Sequence, residues 1–493
     1  MAARRAPALQ WPAGPRLRLG ALTEVRPERW LLLFGGVLAS AAMGGLAAVW
    51  PALAAIAILG GPAVALALAP RARYPALLAI LVLMPLAPYL RVFTGIRSGP
   101  AVLDIAFLIL VSSLFADRLL ARNLTLRRVH LAVAAFVALG LAQLFNPSSP
   151  GLREGLEGFR ILALPALAFF VGYWIIDSSV RLRWAMLTVA GVATVVALYG
   201  VKQGLSPNHL DYTVVETTIG SPITYTSLGR FRAFSTLSSP AHLSFLMNAT
   251  ILLLFSLLAS RSIRFGQFAG GMAASGAALM LTIVRVGWIG TGAGLVVLLA
   301  ATPRFLRFSS AARLVMIAAV TVGLVTYLLL ALRPDDAISA RFRSLVNLPQ
   351  EKHYIDRVTS WQDTIVPAIT AQPLGYGMGS DGVGQRALFF SHNGYFYIAI
   401  EMGVVGAALA GGILIWALCC ASRGPTAGVS EDPALLALRL WILSWTAALL
   451  VMGTFGALLE VYPVNLYYWC FVGALAGLTA SSPRRPLGEE STR

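Results

Sequence analysis

At 493 residues, with 58% hydrophobic and only 12% charged side chains and a mean hydropathy of +0.76, the chain lies outside the range of soluble globular domains. Its formal charge of +17 does not point to nucleic acid, because no nucleic-acid module is recognisable and the arginines sit in short segments beside lipid. The three cysteines make neither a disulfide frame nor a metal set. The five histidines, His130, His209, His242, His353 and His392, show no ligand spacing, so neither a metal nor a cofactor is expected.

Residues 1–30 are basic, contain several prolines and lack the apolar core of a signal peptide, so they read as a cytosolic tail. About 14 apolar runs long enough to cross the hydrocarbon core as helices follow. They cover 31–49, 51–69, 75–91, 100–116, 129–146, 161–178, 184–203, 236–259, 267–284, 286–302, 314–332, 392–418, 437–458 and 465–480. The expected fold is all-α: an integral membrane protein with transmembrane blocks at 31–203, 236–332 and 392–480, external segments at 204–235 and 333–391, and a cytosolic tail at 481–493. With both termini cytosolic, most of the 38 basic residues fall on the inner side, which is the positive-inside asymmetry.

The two long external segments hold most of the polar matter, and long connections in compact proteins are usually functional or disordered. These two lack the low-complexity composition of disorder. Within the larger one, Ile355, Val358, Trp361, Ile365, Ala368 and Ile369 recur at spacings of three and four, the stripe of an amphipathic helix on a membrane surface or beneath a lid. Pro373, Gly375, Gly377 and Gly379 then break the helix and let the backbone turn sharply.

Four arginines and one histidine stand out chemically. Arg285 interrupts an apolar run from Phe268 to Thr302 at a turn so short that its guanidinium must sit at the interface or point into the bundle; the alternative to function is snorkelling. Arg230 and Arg232 alternate around Phe231, and planar guanidinium forks suit a pyrophosphate, although ordinary solvation accounts for many such charges. Arg357 opens the stretch that ends at His392, where a neutral imidazole can take a proton from an attacking hydroxyl. The alternative for His392 is a structural cap formed with Asn393.

Asn393, Tyr395 and Glu401 are supporting candidates on the helix that follows. Glu401 is nine residues beyond His392, about 180° around a regular helix, so it cannot orient the imidazole and needs a partner of its own. Tyr376, Tyr395, Phe396 and Tyr397 read either as an interfacial aromatic belt or as sugar and polyprenyl contacts.

Three stretches resemble the bacterial O-antigen ligase and polymerase superfamily. RFRAFSTLSSPAH is similar to the family's pattern of arginine, glycine and proline before a helix, with Arg232 and Pro240 in place, Ser235 where glycine is usual and Ala241 where asparagine is usual. LTIVRVGWIG keeps Arg285, with Val284 in place of a serine. The closest likeness is Arg357, Trp361, PLGYGMG and HNGYFYIAIEMGVVG, which keep order, spacing and residue type together.

The resemblance implies a multi-pass enzyme of the bacterial inner membrane that transfers a glycan from a polyprenyl-pyrophosphate donor to a sugar hydroxyl on the periplasmic face, without a metal. It implies that Arg232 and Arg285 clamp the phosphates, that Arg357 assists them and that His392 is the base. The acceptor would be a lipid A core (ligase), another lipid-linked glycan (polymerase) or a protein, and the other partners are membrane lipids. The rival from another class is a glycolipid flippase or transporter, which should carry mid-membrane charges and repeat symmetry. Here the expected helices are nearly charge-free apart from Asp104 and Glu401.

Overall fold

The computed structural model describes residues 69–89, 99–120, 126–218, 226–227, 230–305, 338, 352–382, 387–423, 432–456 and 458–481. All belong to one compact unit, 63–493. The helices are α1 (Pro70–Tyr89), α2 (Gly99–Leu120), α3 (Arg128–Gln143), α4 (Leu152–Leu162), α5 (Leu164–Ile175), α6 (Ser179–Leu205) and α7 (His209–Thr218). After a two-residue antiparallel hairpin, β1 (Thr226–Ser227) and β2 (Arg230–Phe231), come α8 (Pro240–Ala259), α9 (Phe265–Leu281) and α10 (Arg285–Phe305). Then follow α11 (Lys352–Ser360), a π turn (Trp361–Ile365), α12 (Val366–Ala371), α13 (Gly394–Ser422), α14 (Pro433–Phe455) and α15 (Val464–Ser481).

Each expected span that lies on described residues falls on a helix, whereas 31–49, 51–69 and 314–332 lie outside them. Among the described residues, however, six helices are long and apolar enough to cross a membrane, or seven if α4 and α5, bent by 41°, form one broken span. The expected count of about 14 is therefore not confirmed, three of its runs lying outside the described residues. Among the described helices, α3 and α15 are apolar but shorter than a full span.

α8 is apolar on all sides and buried along nearly its whole length, as a helix surrounded by other helices must be. It packs against α6, α9, α10 and α14. α5 and α15 approach closely at Gly172 and Gly473, where any Cβ would overlap the carbonyls of Cys470 and Phe169, respectively. At one end of this bundle, an ion pair between Arg160 of α4 and Asp104 of α2, joined by the Tyr462 hydroxyl at 2.9 Å from Asp104, anchors the α14–α15 connection.

The amphipathic segment is helical from 352 to 371, with a five-residue π turn in its middle. Val358, Trp361, Ile365, Ala368 and Ile369 turn inward, but Ile355 is exposed. The glycine run after it is not laid over the surface. It is packed among α3, α4 and α13, and it breaks α13 open.

In a regular helix the Val404 amide would bond to the Ile400 carbonyl. Here Ile400 O accepts from Tyr376 N at 2.7 Å, Val404 N donates to Pro373 O at 2.9 Å, and Gly403 adopts φ 70°. A Cβ on Gly403 would stand 2.5 Å from the Leu374 carbonyl carbon. Nine residues into α13, this break lies about 13 Å along the axis at 1.5 Å per residue. Irregular backbone at such a depth is tolerable because protein groups satisfy it.

Candidate active site

The segment leading to His392 is held from three sides. Trp361 Nε1 in the π turn donates to Ser391 O at 2.6 Å, and Ser391 N donates to Asp381 Oδ1 at 2.9 Å. On the other flank, Asn393 caps α13 by accepting from Tyr395 N (2.9 Å) and Phe396 N (3.1 Å), while its Nδ2 donates to Thr454 O at 2.9 Å. Asn393 is thus the cap, and the imidazole is not needed for that task. His392 itself has φ 49°, a left-handed conformation that costs a residue with a Cβ about 1–2 kcal/mol. The anchored neighbours on both sides hold it there.

His392 opens on a cavity of about 310 Å³, which it lines together with Asp356, Arg357, Ser360, Phe390 and Ser391. Arg357 donates to Phe455 O at the end of α14 at 3.0 Å. Burial lowers the His392 pKa, and the positive charge of Arg357 lowers it further. The ring is therefore a free base at neutral pH. Sequence reasoning passed over Asp356 and Ser360, although their spacing from Arg357 puts all three on one stretch of α11, away from the apolar stripe.

The other arginines form a second group. Arg230 and Arg232 flank Phe231, which is buried in an aromatic cluster with Tyr89 and Phe234. Arg232 Nε donates to Thr282 O at 3.0 Å, and Ala233 N donates to Leu281 O at 2.9 Å, so Arg232 is fastened to the turn that carries Arg285 three residues later. That turn is tight: Ile283 has φ 55°, and Thr282 Oγ1 accepts from Val284 N at 3.3 Å. Val286 packs against Gly456, next to the Phe455 carbonyl that Arg357 holds. The helix ends therefore connect the two groups, but Arg230, Arg232 and Arg285 do not line the His392 cavity.

Glu401 has found the partner it needed. Its oxygens accept from Gly379 N at 2.7 Å and Asp381 N at 3.0 Å, so the carboxylate clamps the inserted glycine run to α13. Tyr395 is likewise occupied structurally, its hydroxyl donating to Leu450 O. Asp381, unremarkable in sequence, is buried with Oδ2 unpartnered, and burial raises its pKa. In the α14–α15 connection Glu460 accepts from the amides of Leu458 and Leu459, and burial pushes its carboxyl up to about 7.

Among the described residues no group of three or more His, Cys, Asp or Glu side chains could hold a metal ion. The arrangement can hold a neutral imidazole beside a guanidinium in a small polar cavity, with two more guanidinium groups at neighbouring helix ends. A search of the curated proteins finds no match to the chain. Residues 270–411, which contain Arg285, Arg357, the glycine run, His392 and Glu401, match the family model described as O-antigen ligase. The match supports, over that part of the chain, the resemblance to the O-antigen ligase and polymerase superfamily seen in the sequence.

Proposed function

We propose that this multi-pass membrane protein is a glycosyltransferase that moves a glycan from a polyprenyl-pyrophosphate donor to a sugar hydroxyl at the external face of the bacterial inner membrane. The observation that carries the reading is the neutral His392 sharing a cavity with Arg357, inside the O-antigen ligase domain.

The acceptor oxygen attacks the anomeric carbon while His392 takes its proton, an assistance worth roughly 100-fold to 10,000-fold. The bond from that carbon to the pyrophosphate oxygen breaks, and the lipid pyrophosphate leaves with the electron pair. Arg232, Arg285 and Arg357 stabilise the negative charge gathering on it. No metal is required for this division of labour. The acceptor is a lipid A core or a further lipid-linked glycan.

The test is turnover of a polyprenyl-pyrophosphate-linked glycan by the purified chain in lipid. His392→Ala should lose at least about 100-fold in kcat, and Arg285→Ala should raise the donor KM. Full turnover by both variants would sink the mechanism. Offering the two acceptor classes in turn separates ligase from polymerase.

A further inference from the structure

The segment that bears Arg232 is set from below by two residues of other helices. Gln203, fully buried near the end of α6, accepts on Oε1 from both Phe234 N (2.8 Å) and Ser235 N (2.7 Å). Its Nε2 donates to Asp211 Oδ1 at 3.0 Å. Asp211, also fully buried, accepts as well from the Tyr199 hydroxyl (2.8 Å), Lys202 Nζ (3.0 Å) and Asn208 N (2.8 Å).

The chemistry fixes the direction of the chain of bonds. An ionised carboxylate only accepts, so Asp211 draws the NH2 of Gln203 toward itself and turns the amide oxygen toward the two backbone donors. With that oxygen in place, Ser235 can hold φ 56°, the turn closes, and Ala233 and Arg232 reach the carbonyls of Leu281 and Thr282. Arg285 follows three residues later on the same turn. Neither Gln203 nor Asp211 lines the His392 cavity.

We propose that Gln203 and Asp211 are positioning residues that set the spacing of Arg232 and Arg285, and with it the fit of the arginine pair to a pyrophosphate. The inference rests on the pyrophosphate reading of those arginines. A bidentate phosphate contact depends on guanidinium placement as well as charge. Gln203 and Asp211 therefore act through the arginines on the donor pyrophosphate, in its binding and its departure, and leave the proton transfer to His392.

The experiment compares wild type, Gln203→Leu, the exchanged pair Q203E/D211N, and Arg232→Ala, all as full-length protein in lipid. In the exchanged pair a carboxylate at 203 accepts from both amides and from the Asn side chain at 211, so the bond chain is rebuilt with its charge moved. Gln203→Leu should raise the donor KM about tenfold, the scale of a lost charge-assisted contact, with the acceptor KM unmoved. Its amides at Phe234 and Ser235 should also exchange hydrogen faster, and the exchanged pair should recover the donor KM to within about threefold of wild type, the residue of an imperfectly rebuilt bond chain.

A Gln203→Leu protein that folds and keeps the wild-type donor KM, while Arg232→Ala loses it, overturns the inference and leaves the pyrophosphate reading standing. If Gln203→Leu does not fold, the exchanged pair decides: a folded pair with a tenfold raised donor KM overturns the inference, and a restored KM supports it. If Arg232→Ala itself keeps the donor KM, the pyrophosphate reading fails. The inference then fails with it, whatever the amide exchange shows.

Discussion

Two segments that carry proposed site residues are held by the same device but to different degrees. At the glycine run, Glu401 on α13 accepts two backbone amides; at the arginine turn, Gln203 on α6 does the same. Around Glu401, however, sterics already leave the backbone no choice. Gly375, Gly377, Gly379 and Gly403 all have positive φ and all abut neighbouring backbone or side chains. Around Gln203 the corresponding positive φ belongs to a serine, and hydrogen bonds do most of the holding. The glycine run should therefore fail outright when altered, and the arginine turn should shift by degrees.

The largest effect is expected from Gly403→Ala. The new methyl would meet the Leu374 carbonyl and occupy a left-handed backbone, together about 3 kcal/mol or more. α13 could escape by closing its own Ile400 to Val404 bond and expelling the glycine run, so even folded protein should lose activity. An unchanged unfolding midpoint in detergent, with normal turnover, would remove the steric half of the comparison.

Glu401→Ala comes next. It leaves two buried amides without an acceptor, at about 1–3 kcal/mol each, and should lower the thermal midpoint clearly. Glu401→Gln keeps an oxygen for one amide and turns an NH2 toward the other, so it should fall between Ala and wild type. Equal midpoints for all three would mean that the glycines alone hold the run.

How much of this was legible in sequence follows from the same contrast. Amphipathic spacing at 355–371 and the glycine cluster after it are local patterns, so the helix and its break could be read directly. Residues 392–418 likewise read as a single helix, and their apolar pattern gives no hint of the opening at Gly403, because the cause lies in Pro373 and Tyr376, far back along the chain. The angle of a regular helix does not apply between His392 and Glu401, because His392 precedes α13 at φ 49°; the partners of Glu401 are backbone amides, which carry no side-chain signature. Gln203 escaped notice for a related reason: a buried glutamine at the end of an apolar helix looks like a polar terminus until its two acceptor bonds are seen. Length and apolarity of a run also do not report where a helix bends or stops, as at α4 and α5.

A smaller effect concerns pH. Burial and Arg357 together hold the His392 pKa below its ordinary 6.5. Protonation removes the base, so wild-type kcat/KM should fall only at pH values below that figure. Arg357→Gln removes the cation but not the burial, so the pKa should rise part of the way back and the acid limb should move to higher pH. Scaled to its own alkaline plateau, the variant should be the less active protein near pH 6, while Arg357→Lys should track wild type. A limb that moves to lower pH, or does not move, would detach Arg357 from the imidazole.

The smallest effect tests the arginine turn at Ser235, where the resemblance leads one to expect glycine. The serine pays a left-handed φ of 56°, about 1 kcal/mol for a residue with a Cβ. Its hydroxyl returns a hydrogen bond to Val196 O at 2.6 Å, about 0.5–1.5 kcal/mol net. Ser235→Gly removes both terms and should sit within about 1 kcal/mol of wild type. Ser235→Ala keeps the strain and loses the bond, so it should be the less stable of the two by about 1 kcal/mol. If alanine instead matches glycine, or is the more stable of the two, the left-handed φ carries no strain at this position and the contrast with the glycine run is lost. If alanine matches serine, the Val196 bond adds nothing and Gln203 alone closes the turn.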